Sequence, residues 1–291
     1  MLSVTSPNDL VTTKEDRVQG FSWQAIEKVN RAHTFIECAK YFREHCHTIK
    51  SVECIRNDLM LTEYIIASCM LSRKSLNHLP INIQNEIIES LVDFSKLTDS
   101  QYLLELERRY FLTCGDSLGG TMRNVVGQHA QEILTESIFN KLVLYKKNPE
   151  RVRNKAGKTT QIIWEDRRVF FDQKPRFINN SIDIIVVRGK SAISGLLEAP
   201  EDYVCCGELK GGIDPAGADE HWKTAKTALQ RISDVFDRIN IPKPNLVFLG
   251  AAIEMAMANE IFFLLQKNWL AGAANITNAP QLNEVIDIII K

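Results

Sequence analysis

Apolar residues recur at spacings of three and four through the first third of the chain. Ala25, Ile26, Val29 and Ala32 form one set behind Ser22. Phe35, Ile36, Ala39, Tyr41 and Phe42 form a second, and Ile55, Leu59, Leu61, Tyr64, Ile65 and Cys69 a third. That period predicts amphipathic helices. Pro80 interrupts it; Ile83, Ile87, Ile88, Leu91, Val92 and Phe94 resume it. Thr98-Asp99-Ser100 is a start signal for a further helix through Tyr102, Leu103, Leu106 and Tyr110. Residues 1–20 carry no period and are expected to form a loose polar arm. Residues 1–110 read as an all-helical subdomain, suited to dimerisation or to wrapping a partner.

The pattern then changes. Cys114–Asn124 (CGDSLGGTMRN) holds three glycines and reads as a tight loop. It opens a helix with Val125, Val126, Ala130, Ile133, Leu134, Ile138, Phe139 and Leu142 on its apolar side. Backbone amides in such a loop suit an anion, but GxxxxGK[ST] is absent, so it is no P-loop. Glu132 and Glu136 share a face of that helix and are read as meeting water. Strand patterns follow at Thr160–Phe171 (one strand with a charged bend), Ser181–Arg188, Tyr203–Lys210 and Leu246–Gly250. Between the last two lies a helix with Trp222, Ala225, Leu229, Ile232 and Phe236 on one side; a final helix runs from Ile253 to about Leu270. A strand–helix–strand order implies a parallel pair, and the shorter links before it imply antiparallel neighbours. The expected fold class is α/β: a mixed β-sheet flanked by helices over residues 111–291, behind the N-terminal helical subdomain.

Chemistry concentrates in residues 181–236. Asp183 interrupts the apolar run IDIIVV, and an ionised carboxylate there is costly unless paired or metal-bound. Glu208 and Lys210 end the next strand and share one face, with Leu209 on the other. If the two strands are neighbours, Asp183 joins that face. Two carboxylates and an ammonium at a strand end suit a divalent metal and a phosphate. Mg²⁺ is held by one or two carboxylates with water and phosphate, so Asp183 and Glu208 are the expected ligands and the Leu209 carbonyl a third oxygen. Lys210 fits two roles, a point charge on the phosphate or an amine that orients water, and the sign of its pKa shift stays open. His221 opens the helix after the site, and an imidazole suits taking or positioning a water proton near neutral pH. The alternative is a solvated hairpin for Glu208 and Lys210 and a strand-end hydrogen bond for Asp183.

Composition adds exclusions. With 291 residues, 45% hydrophobic and 24% charged, the chain is ordinary for a globular protein. Seven cysteines without a CxxC pair point to reduced thiols and not to zinc or disulfides. Neither a signal peptide nor a membrane span is visible, so a cytoplasmic protein is expected. The net charge is −1, yet residues 141–176 hold eleven Lys and Arg against four acids, a local +7. This band is either a polyanion-binding face or a solvated hairpin. Arg123, Lys146, Lys147, Arg151, Arg153, Arg167 and Arg168 are the candidate DNA contacts.

The ID…ELK pattern and the order of elements resemble the PD-(D/E)XK nuclease superfamily. GELKGGIDPAGADEHWKTA is closer still to the AvaI/BsoBI family of type II restriction endonucleases, in which a histidine follows the ExK pair after a glycine turn. GDSLGGTMRN also resembles a loop found among type II restriction enzymes. The resemblance implies that Asp183 and Glu208 bind metal, that Lys210 is the catalytic lysine and that His221 assists the attacking water. One departure is that no proline precedes Asp183 (NNSIDIIVV); Asp172, eleven residues earlier, is the second choice for that acid, behind Asp183. The family further implies a Mg²⁺-dependent homodimer cutting a short duplex site in a bacterial cytoplasm, with a separate cognate DNA methyltransferase. The competing readings are a structure-specific repair or recombination nuclease, a non-catalytic DNA-binding module and an unrelated metabolic hydrolase.

Overall fold

The computed structural model describes residues 3–189 and 193–291. It divides into two compact units: Ser22–Asn124, and the residues through Phe21 together with Val125–Lys291. Helices α1 (Pro7–Leu10), α2 (Lys14–His45), α3 (Val52–Ile55), α4 (Leu59–Ser68), α5 (Arg73–Leu76), α6 (Ile81–Leu91) and α7 (Ser100–Leu144) occupy the first half of the chain. The Ser22–Asn124 unit has its own core. Phe42 of α2, Tyr64 of α4 and Tyr110 of α7 stack in series, with ring centroids 3.8 and 4.4 Å apart, among buried Ile55, Ile65 and Leu106. Asp58 caps α4 by accepting the Leu61 amide.

The other unit is built on one seven-stranded sheet: β1 (Glu150–Arg153), β2 (Thr159–Trp164), β3 (Arg167–Gln173), β4 (Ile182–Arg188), β5 (Tyr203–Lys210), β6 (Asn245–Gly250) and β7 (Gly272–Asn275). The strands lie side by side in chain order, β1 to β5 antiparallel and β5, β6 and β7 parallel. The short α8 (Ile193–Leu196) precedes β5; α9 (Ala218–Arg238) crosses from β5 to β6, α10 (Met255–Gln266) from β6 to β7, and α11 (Ala279–Ile290) closes the chain. Strand alternation sorts side chains into two cores. Phe170, Ile185, Val187, Cys206 and Phe248 pack with Trp222, Leu229 and Phe236 of α9. Val169, Phe171, Ile184, Val186, Cys205 and Val247 pack with Leu134 and Ile138 of α7 and Ile286 of α11. The expected mixed sheet flanked by helices is therefore present.

Four local expectations change. Cys114–Asn124 is no loop: α7 runs through it without a break. The cause is a four-residue repeat, Leu106, Tyr110, Cys114, Leu118, Met122, Val126, Ala130, Leu134, Ile138, Leu142, which carries one apolar stripe across the glycines. With the amides inside a helix, the anion-binding reading of this stretch falls. Second, TQIIWEDRRVFF is a hairpin, not a bent strand: Trp164 pairs with Arg167 around Glu165, whose φ is 47°. Third, Glu150–Arg153 and Gly272–Asn275 are strands the hydrophobic pattern misses. Fourth, the N-terminal residues are docked. Leu10 is fully buried in the α9 core, and Thr12 Oγ1 donates to the Ala251 carbonyl and accepts the Ile253 amide, both at 2.8 Å.

Candidate active site

The site grows from the register of β4 and β5. Ile184 is opposite Gly207, and the next step along this antiparallel pair sets Asp183 against Glu208. Asp183 shares its strand face with Ile185, and Glu208 and Lys210 share theirs with Cys206, so all three project on the α9 side. Gly207 permits the close approach: a Cβ there would lie 2.6 Å from Val247 Cγ2 and 3.2 Å from Ile184 Cδ1.

Three side chains converge. Lys210 Nζ lies 2.8 Å from Glu208 Oε2 and 3.5 Å from Asp183 Oδ2. Asp183 Oδ2 also accepts the Leu209 amide at 2.7 Å. Glu208 is only 4% exposed. Burial, joined by the charge of Asp183, pushes its carboxyl up to about 7 against the pull of Lys210. Burial also depresses the Lys210 ammonium, but the two carboxylates outweigh it and the net shift is upward. That direction favours the ammonium form of Lys210 in the metal-free chain. The Leu209 N–H points towards Asp183, and in a strand a residue's carbonyl leaves on the same side.

The strand end is clamped from behind. Lys210 O accepts the Ala251 amide at 2.8 Å, and Ala251 O is the group held by Thr12. After Lys210 the chain turns through Gly211, Gly212 and Ile213. A Cβ on Gly211 would meet Ala130 Cβ at 2.5 Å and the Val126 carbonyl oxygen at 2.9 Å, so this loop rests on α7. His221 lies in the first turn of α9 beside the same loop. Cβ atoms built on Gly212 and Gly217 would stand 3.0 and 3.5 Å from its Cε1. No hydrogen bond joins it to the three charged residues. Asp172 stands across from Asp183 in the β3–β4 register, between the Phe171–Ile184 and Gln173–Ile182 pairs, but it binds Lys158 at 2.7 Å and stays exposed instead of joining the three.

The candidate DNA contacts do not converge as a group. Arg153 ends β1 at the same sheet end as Asp183. Lys147, Arg151, Arg167 and Arg168 belong to the opposite end, where β1 and β3 begin, and exposed Lys146 precedes them. Arg151 is engaged bidentately by Glu136 (Nη2 to Oε2, 2.8 Å) and lies over the Phe139 ring. Glu136 therefore meets a guanidinium as well as solvent. Lys147 pairs with Glu165. Arg167 faces Arg188 across the β3–β4 ladder, and burial followed by that like charge lowers its pKa. Arg123 is exposed on α7 within the helical unit.

Among the described residues no helix is long and apolar enough to cross a membrane, and no three His, Cys, Asp or Glu converge on a metal position. All seven cysteines are free thiols.

Comparison with known proteins identifies the family. The restriction endonuclease BsoBI family matches residues 2–169 and 161–291. The chain is 34% identical over 300 residues to the type II restriction enzyme AvaI of Nostoc sp., covering 96% of this chain and 95% of that protein. The same figures hold for AvaI of Anabaena variabilis. Against the type II restriction enzyme BsoBI of Geobacillus stearothermophilus identity is 33% over 310 residues, covering 98% and 96%. The chain therefore belongs to the BsoBI family of type II restriction endonucleases, which are site-specific deoxyribonucleases.

Proposed function

We propose that the chain cleaves double-stranded DNA as a Mg²⁺-dependent homodimer, with Asp183, Glu208, Lys210 and His221 as its catalytic residues. The observation that carries the reading is the meeting of Asp183, Glu208 and Lys210 on one face at the β4–β5 strand ends. The donor set fits Mg²⁺. Two carboxylates and the Leu209 carbonyl offer hard oxygen ligands, leaving positions for water and phosphate. Asp183 and Glu208 would hold the ion, and its charge would offset the cost that burial and Asp183 impose on the Glu208 anion. When bound, the ion neutralises charge on the phosphate and acidifies a coordinated water.

The chain's own residues do the rest. Lys210, charged and anchored to both acids, places a cation on the scissile phosphate. That favours the point-charge role over a neutral amine. Asp183 fixes the strand end by accepting the Leu209 amide. His221 takes or positions the proton of the attacking water. The division into a helical part, 1–110, for dimerisation or DNA wrapping and a catalytic part, 111–291, belongs to the same reading. A dimer is supported by the exposed apolar face of α2, where Ile26 and Val29 are each 60% exposed. A separate cognate methyltransferase and a bacterial cytoplasmic setting complete the proposal.

The test is digestion of a long unmethylated duplex in Mg²⁺ and in EDTA. Discrete fragments only with Mg²⁺ are expected. A Mg²⁺-dependent smear contradicts sequence-specific cutting and favours a structure-reading nuclease. Retention of the duplex without cleavage favours a non-catalytic binding module.

A further inference from the structure

A cavity of about 190 Å³ opens between α7 and the β1–β2 hairpin. Its lining includes Gln131, Glu132, Arg153, Lys158 and Thr159. Gln131 is 7% exposed, and its Nε2 is buried without a hydrogen-bond partner. Leaving an amide donor unmade inside a protein is costly, because its hydration is lost and nothing replaces it. That cost is offset if a ligand accepts from it.

The register gives the cavity's place. Arg153 pairs with Thr159, Lys158 reaches Asp172 at the end of β3, and Gln173 pairs with Ile182 at the start of β4. The hairpin turn therefore lies at the same sheet end as Asp183, Glu208 and Lys210, with the cavity on the α7 face and those three on the α9 face, so that a duplex laid across the sheet end meets both. At about 4.8 Å per strand, β2 and β1 stand roughly 14 and 19 Å from β5. At about 3.4 Å per base-pair step this is roughly four to six steps of duplex.

The lining chemistry narrows the ligand. Lys158 is neutralised by Asp172 and Arg151 by Glu136. Arg153 and Glu132 remain exposed, without a salt bridge among the described residues. The rim is balanced in charge, which a phosphate site would not be. No aromatic ring lines it, so a base rotated out of the duplex would find no stacking partner. Donors and an acceptor side by side suit the edge of a base pair.

We infer that this cavity reads a base pair of the DNA substrate, Arg153 and the Gln131 amide donating and Glu132 accepting. Arginine matches guanine O6 and N7, and a carboxylate accepts from the cytosine N4 amine, so a G·C pair is the expected target. The placement rests on the reading of Asp183, Glu208 and Lys210 as the cleavage centre.

The experiment measures kcat/KM in Mg²⁺ on duplexes differing from the preferred site by one base pair at each position. Wild-type chain is compared with Arg153→Ala, Glu132→Gln and Gln131→Leu, each checked for folding by circular dichroism. Arg153 and Glu132 are exposed, so those two variants keep the test decisive if Gln131→Leu misfolds. Arg153→Ala is expected to lose about tenfold or more on the preferred site and to stop discriminating at one G·C position per half-site. Glu132→Gln and Gln131→Leu should relax the same position. Equal loss at every position, with the salt slope shallower by about one, would mark a phosphate contact and overturn the inference. So would wild-type discrimination in all three variants. Failure here stays distinct from failure of the catalytic assignment, which shows instead as wild-type cleavage by Glu208→Ala.

Discussion

Asp183 Oδ2 accepts the backbone amide of Leu209 at 2.7 Å, across the point where β4 and β5 cease to pair. The carboxylate thus closes the ladder as well as facing the site, and the two roles separate by substitution. Asp183→Ala leaves the Leu209 amide unpaired and should cost about 1–3 kcal/mol in urea unfolding. Asp183→Asn keeps an acceptor there and should unfold near the wild-type midpoint, while losing cleavage as completely as Asp183→Ala.

The raised pKa of Glu208 sets a pH dependence of stability in the absence of metal. A folded-state value of about 7 against an ordinary 4.5 means that folding favours the protonated acid. That contribution is full below about 4.5 and is lost as pH rises through about 7. Lys210 opposes the shift without cancelling it. Glu208→Gln should therefore melt close to wild type at pH 4.5 and above it at pH 8 in EDTA. Added Mg²⁺ should raise the Tm of wild type and not of the variant. Parallel melting curves at both pH values would contradict the assignment of the shift.

Glycines on α7 and in the site loop should respond in opposite directions. Gly119 and Gly120 lie in an exposed helix interior with nothing within 4 Å of an added Cβ. Alanine at either should stabilise by about 0.5–1 kcal/mol. Gly211→Ala pushes a Cβ onto the Val126 carbonyl, backbone that cannot rotate away, and should destabilise by about 1–3 kcal/mol. Urea midpoints decide both, and destabilisation at Gly119 would restore a loop there.

Thiol labelling offers a check on the helical core. Cys54 is exposed, and hydrogen bonds from the Lys50 backbone and from Ser51 lower its pKa. The other six thiols are buried, and burial pushes Cys69 up to about 11 and Cys205 up to about 12. One cysteine should react quickly with an aromatic disulfide reagent at pH 8, and Cys54→Ser should abolish that phase.

What the sequence discloses follows from how local each signal is. Asp183, Glu208 and Lys210 are legible because strand alternation fixes their face and an acid among Ile and Val stands out. The β4–β5 and β5–β6 pairings follow from connection length. The course of α7 is hidden because three glycines weigh more, read locally, than a four-residue repeat that becomes visible only from Leu106 to Leu142. β7 is Gly-Ala-Ala-Asn, without a branched residue, and β1 is Glu-Arg-Val-Arg, mostly charged; neither looks like a strand until its neighbours supply the ladder. The Thr12–Ala251 link joins residues 239 positions apart and has no local signature at all. Gln131 had a faint signal: a polar amide between Ala130 and Ile133 on an apolar helix face.

The most direct measurement of the central claim is cleavage of a long unmethylated duplex in Mg²⁺ by wild type, Glu208→Ala and Lys210→Ala, with binding of the same duplex measured alongside. Wild type should give discrete fragments, and both variants should bind the DNA and leave it uncut. Fragments from either variant at the wild-type rate would show that the catalytic centre is not the strand-end cluster of Asp183, Glu208 and Lys210.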